Sequence, residues 1–253
     1  TILIAASGNV VNDIFDQDID FHNIPEKVIV GKVIPEQHAW NFYYALGSAG
    51  LGLGMYLCWN LGNVSNSLIF MLSAGALYFY SYSYKRQFLI GNVVVAFLAA
   101  LVPFMPIYLQ MMCTSDWMQL PWSPIVVAFS FFAFITTLIS EVIKDMEDLK
   151  GDTLMGCRTM PVILGLRWTK TIVVALLLVL ILSIAWLQMA WSAQQKLMLF
   201  SYFVVMVQLP ALFVGFKVIA AKQPKDFNLP STVTKALMLT GILSMFIYRL
   251  GLE

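Results

Sequence analysis

Charge is scarce in this sequence: charged residues make up 11% of it and hydrophobic residues 60%. A soluble domain carries about 25% charged residues, so a soluble class is excluded and an integral membrane protein is indicated. Cysteine is almost absent, and the three that occur (Cys58, Cys113 and Cys157) are widely spaced with no CxxC pair. That spacing argues against a disulfide framework or a thiolate metal site and favours packing roles. No feature indicates nucleic acid or an obligate protein partner.

The sequence contains several long apolar runs that have few or no charged residues. A membrane-spanning helix needs about 20 mostly apolar residues. Seven such runs are present, and residues 1–13 resemble the last part of an eighth. The sequence therefore predicts an all-α, polytopic transmembrane helical bundle with seven full spans and a partial N-terminal one. The full runs cover residues 37–59, 65–84, 89–111, 122–143, 168–191, 195–217 and 232–252.

The basic residues lie mostly on one side of the predicted bundle. Threading the chain back and forth places thirteen of the fifteen Lys and Arg residues on one face, and only Lys196 and Arg249 on the other. Such a bias marks the cytoplasmic face of a membrane protein. We therefore expect a protein of the plasma or inner membrane, with its functional site facing the cytoplasm.

Acidic residues are concentrated on that same face. Nine of the fourteen Asp and Glu residues lie in residues 13–20 and 141–152, each at the predicted end of an apolar run. Three aspartates in each stretch follow the spacing i, i+3, i+7, which places them on one face of a helix. Carboxylates at a helix C-terminus repel one another and the helix dipole, so a bound cation is indicated. The predicted metal ligands are Asp13, Asp16, Asp20, Asp145, Asp148 and Asp152.

The two acidic triplets suggest Mg²⁺ and a phosphorylated substrate. Mg²⁺ prefers oxygen ligands and is usually held by carboxylates together with substrate phosphates. At a membrane face, such a site suits an amphiphile whose hydrocarbon tail stays in apolar surroundings. An isoprenyl diphosphate meets this description, because ionising its allylic C–O bond needs stabilisation of the leaving group and a dry pocket.

Two motifs resemble those of a known family. Asn12-Asp13-x-x-Asp16-x-x-x-Asp20 and Lys144-Asp145-x-x-Asp148-x-x-Gly151-Asp152 are similar to the motifs of the UbiA superfamily of intramembrane prenyltransferases. The resemblance implies a layout of nine helices and two Asp-rich motifs that bind Mg²⁺ and a prenyl diphosphate. It implies transfer of the prenyl group to a lipid-soluble acceptor.

Further positions carry the same resemblance. The run Gly156-Cys157-Arg158-Thr159-Met160-Pro161 resembles the segment that follows the second motif in the family. Lys85 closes a Tyr-rich helix, as a basic residue does there, and Lys85 and Arg158 are expected to contact the departing diphosphate. The substrate-binding residues expected on this basis are Asn9, Asn12, Lys85, Asn92 and Arg158.

Within the superfamily, the second motif resembles most the branch that contains digeranylgeranylglyceryl phosphate synthase. This favours a geranylgeranyl-type donor and a prenylated glycerol phosphate as acceptor; an aromatic or quinone-precursor acceptor is the alternative. Family members carry a further helix and a half upstream, so residues 1–253 are expected to be one transmembrane domain without that segment. A cation-coupled secondary transporter is the alternative of another class, since carboxylates inside membranes also bind transported ions.

Several of these residues also have plain structural interpretations. Lys85 and Arg158 suit membrane anchoring on the cytoplasmic side. Tyr80 shares a helix face with Tyr84. These tyrosines either line a substrate pocket or belong to an interfacial aromatic belt. Glu141 lies one turn before Asp145 and either faces a polar cavity or pairs with a nearby lysine.

Overall fold

The computed structural model describes residues 1–17, 28–114, 116–190 and 193–250. The regular elements in these residues are helices, which confirms the predicted all-α class. The α-helices are α1 (Ile2–Phe15), α2 (Glu36–Asn60), α3 (Leu68–Tyr82), α4 (Ile90–Cys113), α5 (Ser123–Glu147), α6 (Leu149–Leu154), α7 (Met160–Ala190), α8 (Ala193–Phe203), α9 (Leu209–Ala220) and α10 (Asn228–Leu250).

Every predicted apolar run contains a helix, with two differences in detail. Helix α7 begins at Met160, eight residues before the predicted start, because a short helical piece precedes it and joins it at Gly165, whose φ is +78°. The run at 195–217 is divided into α8 and α9 by a π-helical turn at Val204–Gln208. A left-handed φ of this kind costs glycine little, which explains why the chain can bend at Gly165.

Five of the helical segments in the described residues are long and apolar enough to cross a membrane. Helices α2 and α3 occupy the two remaining predicted runs, but they fall outside that set by length or composition. The five segments are Ile90–Cys113, Ser123–Glu147, Met160–Met189, Met198–Ala220 and Pro224–Phe246.

The helices pack as two groups, each around its own apolar core. In the first group α1 packs on α2 and α3, and the core contains Ile4, Cys58, Phe70 and Met105. In the second group α5 packs on α7 and α10, and α9 packs on both of these. Its core is larger, since it takes the buried residues of α5 from Ile135 to Met146 together with apolar residues of α7, α9 and α10.

Helix α4 joins the two groups, because it packs against α3 on one side and along α5 on the other. Met105 of α4 lies in the core of the first group, whereas Ala96 of the same helix lies in the core of the second. The beginning of α4 therefore lies between the end of α3 and the end of α5. The polar residues described next meet at this place.

Candidate active site

The first acidic motif closes helix α1. Asp16 is the residue at which α1 ends, and its backbone N–H donates to the carbonyl of Asn12 over 2.9 Å. The Asn12 side-chain amide donates to Asp16 Oδ2 over 2.8 Å. Asp13 lies in the last turn and is exposed, as is Asn9 one turn earlier. Asp20, the third predicted aspartate, lies outside the described residues.

Lys85 binds this motif from the turn that follows helix α3. It lies in the 3₁₀ turn Tyr84–Arg86, and its Nζ forms an ion pair with Asp16 Oδ1 and donates to Asn12 Oδ1 over 3.2 Å. Only 13% of the Lys85 side chain and 16% of the Asp16 side chain are exposed. Burial lowers the pKa of Lys85, while the Asp16 carboxylate opposes that shift by favouring the ammonium form. The lysine thus offsets part of the negative charge of the first motif.

A close backbone contact fixes the turn that carries Lys85. A Cβ atom placed on Gly91 would lie 2.7 Å from the Cα of Lys85 and 2.7 Å from the carbonyl oxygen of Tyr84. Real side chains do not approach backbone atoms so closely, so only glycine lets α4 start here. Leu89, just before α4, takes a left-handed φ of +59°, which is uncommon for a residue with a side chain.

The second acidic motif spans a break between two helices. Helix α5 ends at Glu147 and α6 begins at Leu149, with Asp148 between them, so the three aspartates do not share one uninterrupted helix. Asp145 Oδ2 accepts a hydrogen bond of 2.8 Å from the Asn92 side chain at the start of α4. Asp152 Oδ2 accepts one of 2.8 Å from the Thr159 hydroxyl. Each of these two aspartates is thereby oriented by a neutral donor.

The two motifs face a common space. Burial raises the pKa of Asp152, the Thr159 hydroxyl and Lys144 lower it, and the Asp16 carboxylate of the other motif raises it further. Lys144 in turn interacts electrostatically most with Glu141, and then with Asp148, Asp16 and Asp145. Since carboxylates from α1, α5 and α6 influence one another, they form one acidic cluster, with Lys85 and Lys144 beside it. We call the region between these helix ends the acidic chamber.

The segment after the second motif is tied to the lysine turn. The backbone N–H of Arg158 donates to the carbonyl of Arg86 over 2.8 Å. Gly156, with a φ of +69°, makes the preceding turn possible. The Arg158 side chain is exposed. This backbone hydrogen bond places Arg158 next to the turn that carries Lys85. That Arg158 contacts a diphosphate stays a prediction.

Tyr80 and Glu141 form the membrane-side boundary of the chamber. The Tyr80 hydroxyl, on α3, donates to Glu141 Oε2, on α5, over 3.1 Å. Glu141 thus bonds to a tyrosine, a partner that the sequence alone did not suggest. Tyr80 uses its hydroxyl for this bond, which makes it a link between the two helix groups; whether it also lines a substrate pocket stays a prediction.

The donor set of the chamber fits a hard divalent cation. Its ligating groups are carboxylate oxygens, with amide and hydroxyl side chains that orient them, and no imidazole or thiolate takes part among the described residues. In that part of the chain, no three acidic, His or Cys side chains converge closely enough to enclose an ion. Oxygen donors of this kind are those that Mg²⁺ prefers.

The sequence did not single out two residues that the structure brings into contact with the site. Thr159 binds Asp152, and it lies in the same Gly-x-Arg-Thr-x-Pro run as Arg158, so this run is the signal in the sequence that indicates it. Gly91 lies directly before Asn92, and its contact with Lys85 is a packing property that no spacing predicts.

Fold and site together define a polytopic helical membrane protein with an acidic chamber at the ends of its helices. Carboxylates at helix ends are unlike the midplane carboxylates of secondary transporters, which accompany broken helices. Residues 1–229 match the model of the UbiA prenyltransferase family. The chain therefore belongs to the UbiA prenyltransferase family.

Similarity to curated relatives agrees with this family. The chain is 29% identical over 248 residues to the digeranylgeranylglyceryl phosphate synthase of Methanopyrus kandleri, an alignment that covers 96% of this chain and 82% of the relative. For the protein of the same name from Methanothermobacter thermautotrophicus, the identity is 29%, with 68% of this chain and 56% of the relative covered. The chain thus spans little more than half of that relative's length.

Solved structures share the fold. A UbiA homolog from Aeropyrum pernix K1, in its apo form, superposes with a TM-score of 0.69 at 17% identity, covering 96% of this chain and 86% of the homolog. A UbiA homolog from Archaeoglobus fulgidus, bound to DMAPP and Mg²⁺, superposes with a TM-score of 0.58 at 15% identity, covering 95% and 83%.

Proposed function

We propose that this protein transfers a prenyl group from a prenyl diphosphate to a lipid-soluble acceptor, and that it uses Mg²⁺. The observation that supports this most is the single chamber formed by acidic motifs from α1 and from α5 and α6. A chamber of carboxylates alone would repel a diphosphate, so metal is required between them. Its place at the helix ends allows the tail of the substrate to remain in the apolar bundle.

The metal would be held by the aspartates of the two motifs. When bound, Mg²⁺ supplies positive charge that stabilises the departing diphosphate. The residues in this role are Asp13, Asp16 and Asp20 of the first motif and Asp145, Asp148 and Asp152 of the second. Asn92 and Thr159 keep the carboxylates of Asp145 and Asp152 aimed by their hydrogen bonds, which preorganises the site.

Lys85 has the position to contact the diphosphate directly. Its ammonium group already bridges Asn12 and Asp16 at the edge of the chamber and is largely buried. Asn12, Asn9 and Arg158 extend this polar edge. As the C–O bond of the donor breaks, these groups would stabilise the charge that develops on the leaving oxygens.

The substrates that we favour follow from the relatives. Proteins named digeranylgeranylglyceryl phosphate synthase are similar to this chain, so we propose a geranylgeranyl-type donor and a prenylated glycerol phosphate as the acceptor. We also propose that the chamber faces the cytoplasm, because thirteen of the fifteen basic residues lie on its side of the predicted bundle.

The test is product formation in reconstituted membranes. Vesicles containing the protein are incubated with Mg²⁺ and labelled prenyl diphosphates of several lengths, with geranylgeranylglyceryl phosphate or 4-hydroxybenzoate as acceptor, and the lipid products are identified by mass. We expect an ether product from the glycerol phosphate, and loss of that product on adding EDTA.

Two substitutions accompany this test. Asp145→Asn and Asp16→Asn should each lower Mg²⁺-dependent release of diphosphate by at least about 100-fold. Asp116→Asn, at the opposite end of the bundle, is the matched control and should leave the rate unchanged, because this exposed residue lies far from the chamber in sequence and fold. Full turnover by the Asp145→Asn variant would contradict the proposed role of the motif.

A further inference from the structure

Helix α5 carries polar residues deeper than the acidic motif. Thr137, Glu141 and Asp145 follow one another at intervals of four, so they lie on one side of the helix, within about 80° of each other. At 1.5 Å per residue, they extend about 12 Å from the metal motif toward the middle of the bundle. Polar side chains in a membrane helix usually face the protein interior and have a function.

Glu141 is held by a neutral donor from another helix. It accepts from the hydroxyl of Tyr80 over 3.1 Å. Asp145 and Asp152 also accept from neutral groups, whereas Asp16 pairs with an ammonium group. The other charged groups that act on it are Lys144 and Asp145 of its own helix. The tyrosine therefore orients the Glu141 carboxylate without neutralising it.

Thr137 is a second, independent observation that indicates a polar ligand at this level of helix α5. It is 6% exposed, and its hydroxyl is the one buried side-chain nitrogen or oxygen group in the described residues that has no hydrogen-bond partner. The hydroxyls of Thr136 and Ser130 on the same helix instead donate to backbone carbonyls one turn earlier, over 2.8 and 2.9 Å. A buried hydroxyl without a partner is costly, and a hydroxyl-bearing ligand would satisfy it.

The depth of Glu141 matches the place where the new bond must form. On the proposed function, the diphosphate would be held at the level of Asp145 and Asp152, and the prenyl chain would run from it into the apolar bundle. The first carbon of the chain therefore lies on the membrane side of the metals. Glu141 lies one helical turn, about 6 Å, in that direction. An acceptor that attacks this carbon would bring its hydroxyl to the level of Glu141.

We infer that Glu141 is the general base that takes the proton of the acceptor hydroxyl, with Tyr80 as its positioning residue. This inference rests on the proposed prenyl transfer. In the step, the C–O bond between the prenyl carbon and the diphosphate breaks, and its electron pair leaves with the diphosphate. A lone pair of the acceptor oxygen forms the new C–O bond, and the hydroxyl proton passes to the Glu141 carboxylate. Nothing is oxidised or reduced.

The experiment separates ionisation of the donor from transfer to the acceptor. The full chain in vesicles receives Mg²⁺, geranylgeranyl diphosphate and geranylgeranylglyceryl phosphate, and both diphosphate release and ether product are measured. General base catalysis contributes about 10²–10⁴-fold. For Glu141→Gln we expect the ether product to fall at least about 100-fold. Diphosphate release should continue, with water as the acceptor and prenyl alcohol as the product.

Further variants keep the result interpretable. Glu141→Asp retains a carboxylate and should recover part of the transfer, and Tyr80→Phe should lower the ratio of ether to alcohol without abolishing transfer. Glu147→Gln is the matched control, because that carboxylate lies on the same helix but accepts from Asn228 over 3.0 Å. It should transfer like the unmodified protein.

Two outcomes would overturn the inference. Full ether formation by Glu141→Gln would mean that the departing diphosphate or water takes the proton. Loss of diphosphate release together with transfer, in both the Gln and the Asp variants, would place Glu141 in ionisation instead. If the unmodified protein released no diphosphate with Mg²⁺ present, the proposed function itself would fail, and this result is distinct from either of those.

Discussion

At the scale of single residues, the chamber depends on donors that keep carboxylates in place. Asn12 and Lys85 bind Asp16, Asn92 binds Asp145, and Thr159 binds Asp152. Only one of these donors is charged. On the proposed function, most of the negative charge of the site is therefore available to a metal, while each hydrogen bond fixes the direction in which an oxygen points.

Lys85 can be tested by changing its charge and its shape separately. Lys85→Ala should lower the rate of prenyl transfer about 10²- to 10³-fold, because one donor to a developing negative charge is worth that much. Lys85→Arg keeps the charge but changes the geometry, and should recover part of the rate. Initial rates with saturating donor provide the measurement.

The control for Lys85 is Lys225→Ala, which removes an exposed charge on the same side of the protein. It should not affect the rate. If Lys85→Ala transferred prenyl groups as fast as the unmodified protein, Lys85 would be an anchor and would have no part in binding diphosphate.

The role of Thr159 can be tested by measuring how the rate depends on pH. Burial raises the pKa of Asp152 and the Thr159 hydroxyl opposes this, so Thr159→Val should raise that pKa further. A carboxylate with a higher pKa takes up its proton at a higher pH, and a protonated Asp152 no longer binds Mg²⁺. The acid limb of the rate profile should therefore move to higher pH.

Diphosphate release measured against pH at fixed Mg²⁺ tests this expectation. Thr153→Val is the matched control, because its hydroxyl donates to the Leu149 carbonyl over 2.7 Å and does not contact an aspartate. An acid limb that moves to lower pH, or moves equally in both variants, would contradict the assigned role of Thr159.

At the scale of helices, the start of α4 decides how the chamber is assembled. Gly91 touches the backbone of Lys85, and the next residue, Asn92, binds Asp145. Gly91→Ala would place a methyl group 2.7 Å from backbone atoms, so α4 or the lysine turn must shift. A displacement of about 1 Å in a catalytic site can cost about 100-fold in rate, and we expect a loss of that order.

Donor binding and turnover by Gly91→Ala, compared with Gly75→Ala, check this expectation. Gly75 is the matched control because a Cβ there would meet nothing within 4 Å. Equal rates for the two variants would show that the contact between α4 and the lysine turn does not position the site.

The helices could be predicted from the sequence much better than their contacts. Apolar runs long enough to span a membrane can be recognised from composition alone, and each of the seven contains a helix. The break at Asp148 and the piece before Gly165 could not be predicted, because both depend on local backbone conformation.

The partners in the site could not be predicted either. Lys85 and Asp16 are 69 residues apart, Tyr80 and Glu141 are 61 apart, and Asn92 and Asp145 are 53 apart. The residue types at these positions indicated metal and diphosphate chemistry. Which side chain meets which depends on how the helices pack, and a single sequence does not contain that information in a local pattern.

At the scale of the whole molecule, the orientation in the bilayer can be tested directly. We expect the end that carries α6 to face the cytoplasm, because most basic residues lie there. In a background with Cys58, Cys113 and Cys157 replaced, Lys150→Cys should react with an impermeant thiol reagent only from the cytoplasmic side. Gln119→Cys, at the opposite end, should react only from the other side.

Labelling of intact cells and of inverted vesicles gives the two arms of this measurement. Both positions are exposed, so a failure to react from one side reports the membrane barrier. Reaction of the Lys150→Cys variant in intact cells would reverse the proposed orientation and place the chamber outside.

The adjacency of Gly91 and Asn92 also has a consequence for how substrate preference can evolve in such a protein. Gly91 contacts the backbone of Lys85, which binds the first motif, and Asn92 binds an aspartate of the second motif. The backbone from Gly91 to Asn92 therefore sets the distance between the two motifs. On the proposed function, this piece of backbone positions the groups that would hold the phosphorylated head, apart from the walls that would surround the hydrocarbon tail. Substitutions deeper in the bundle would then alter the accepted tail length and leave the reactive end unchanged.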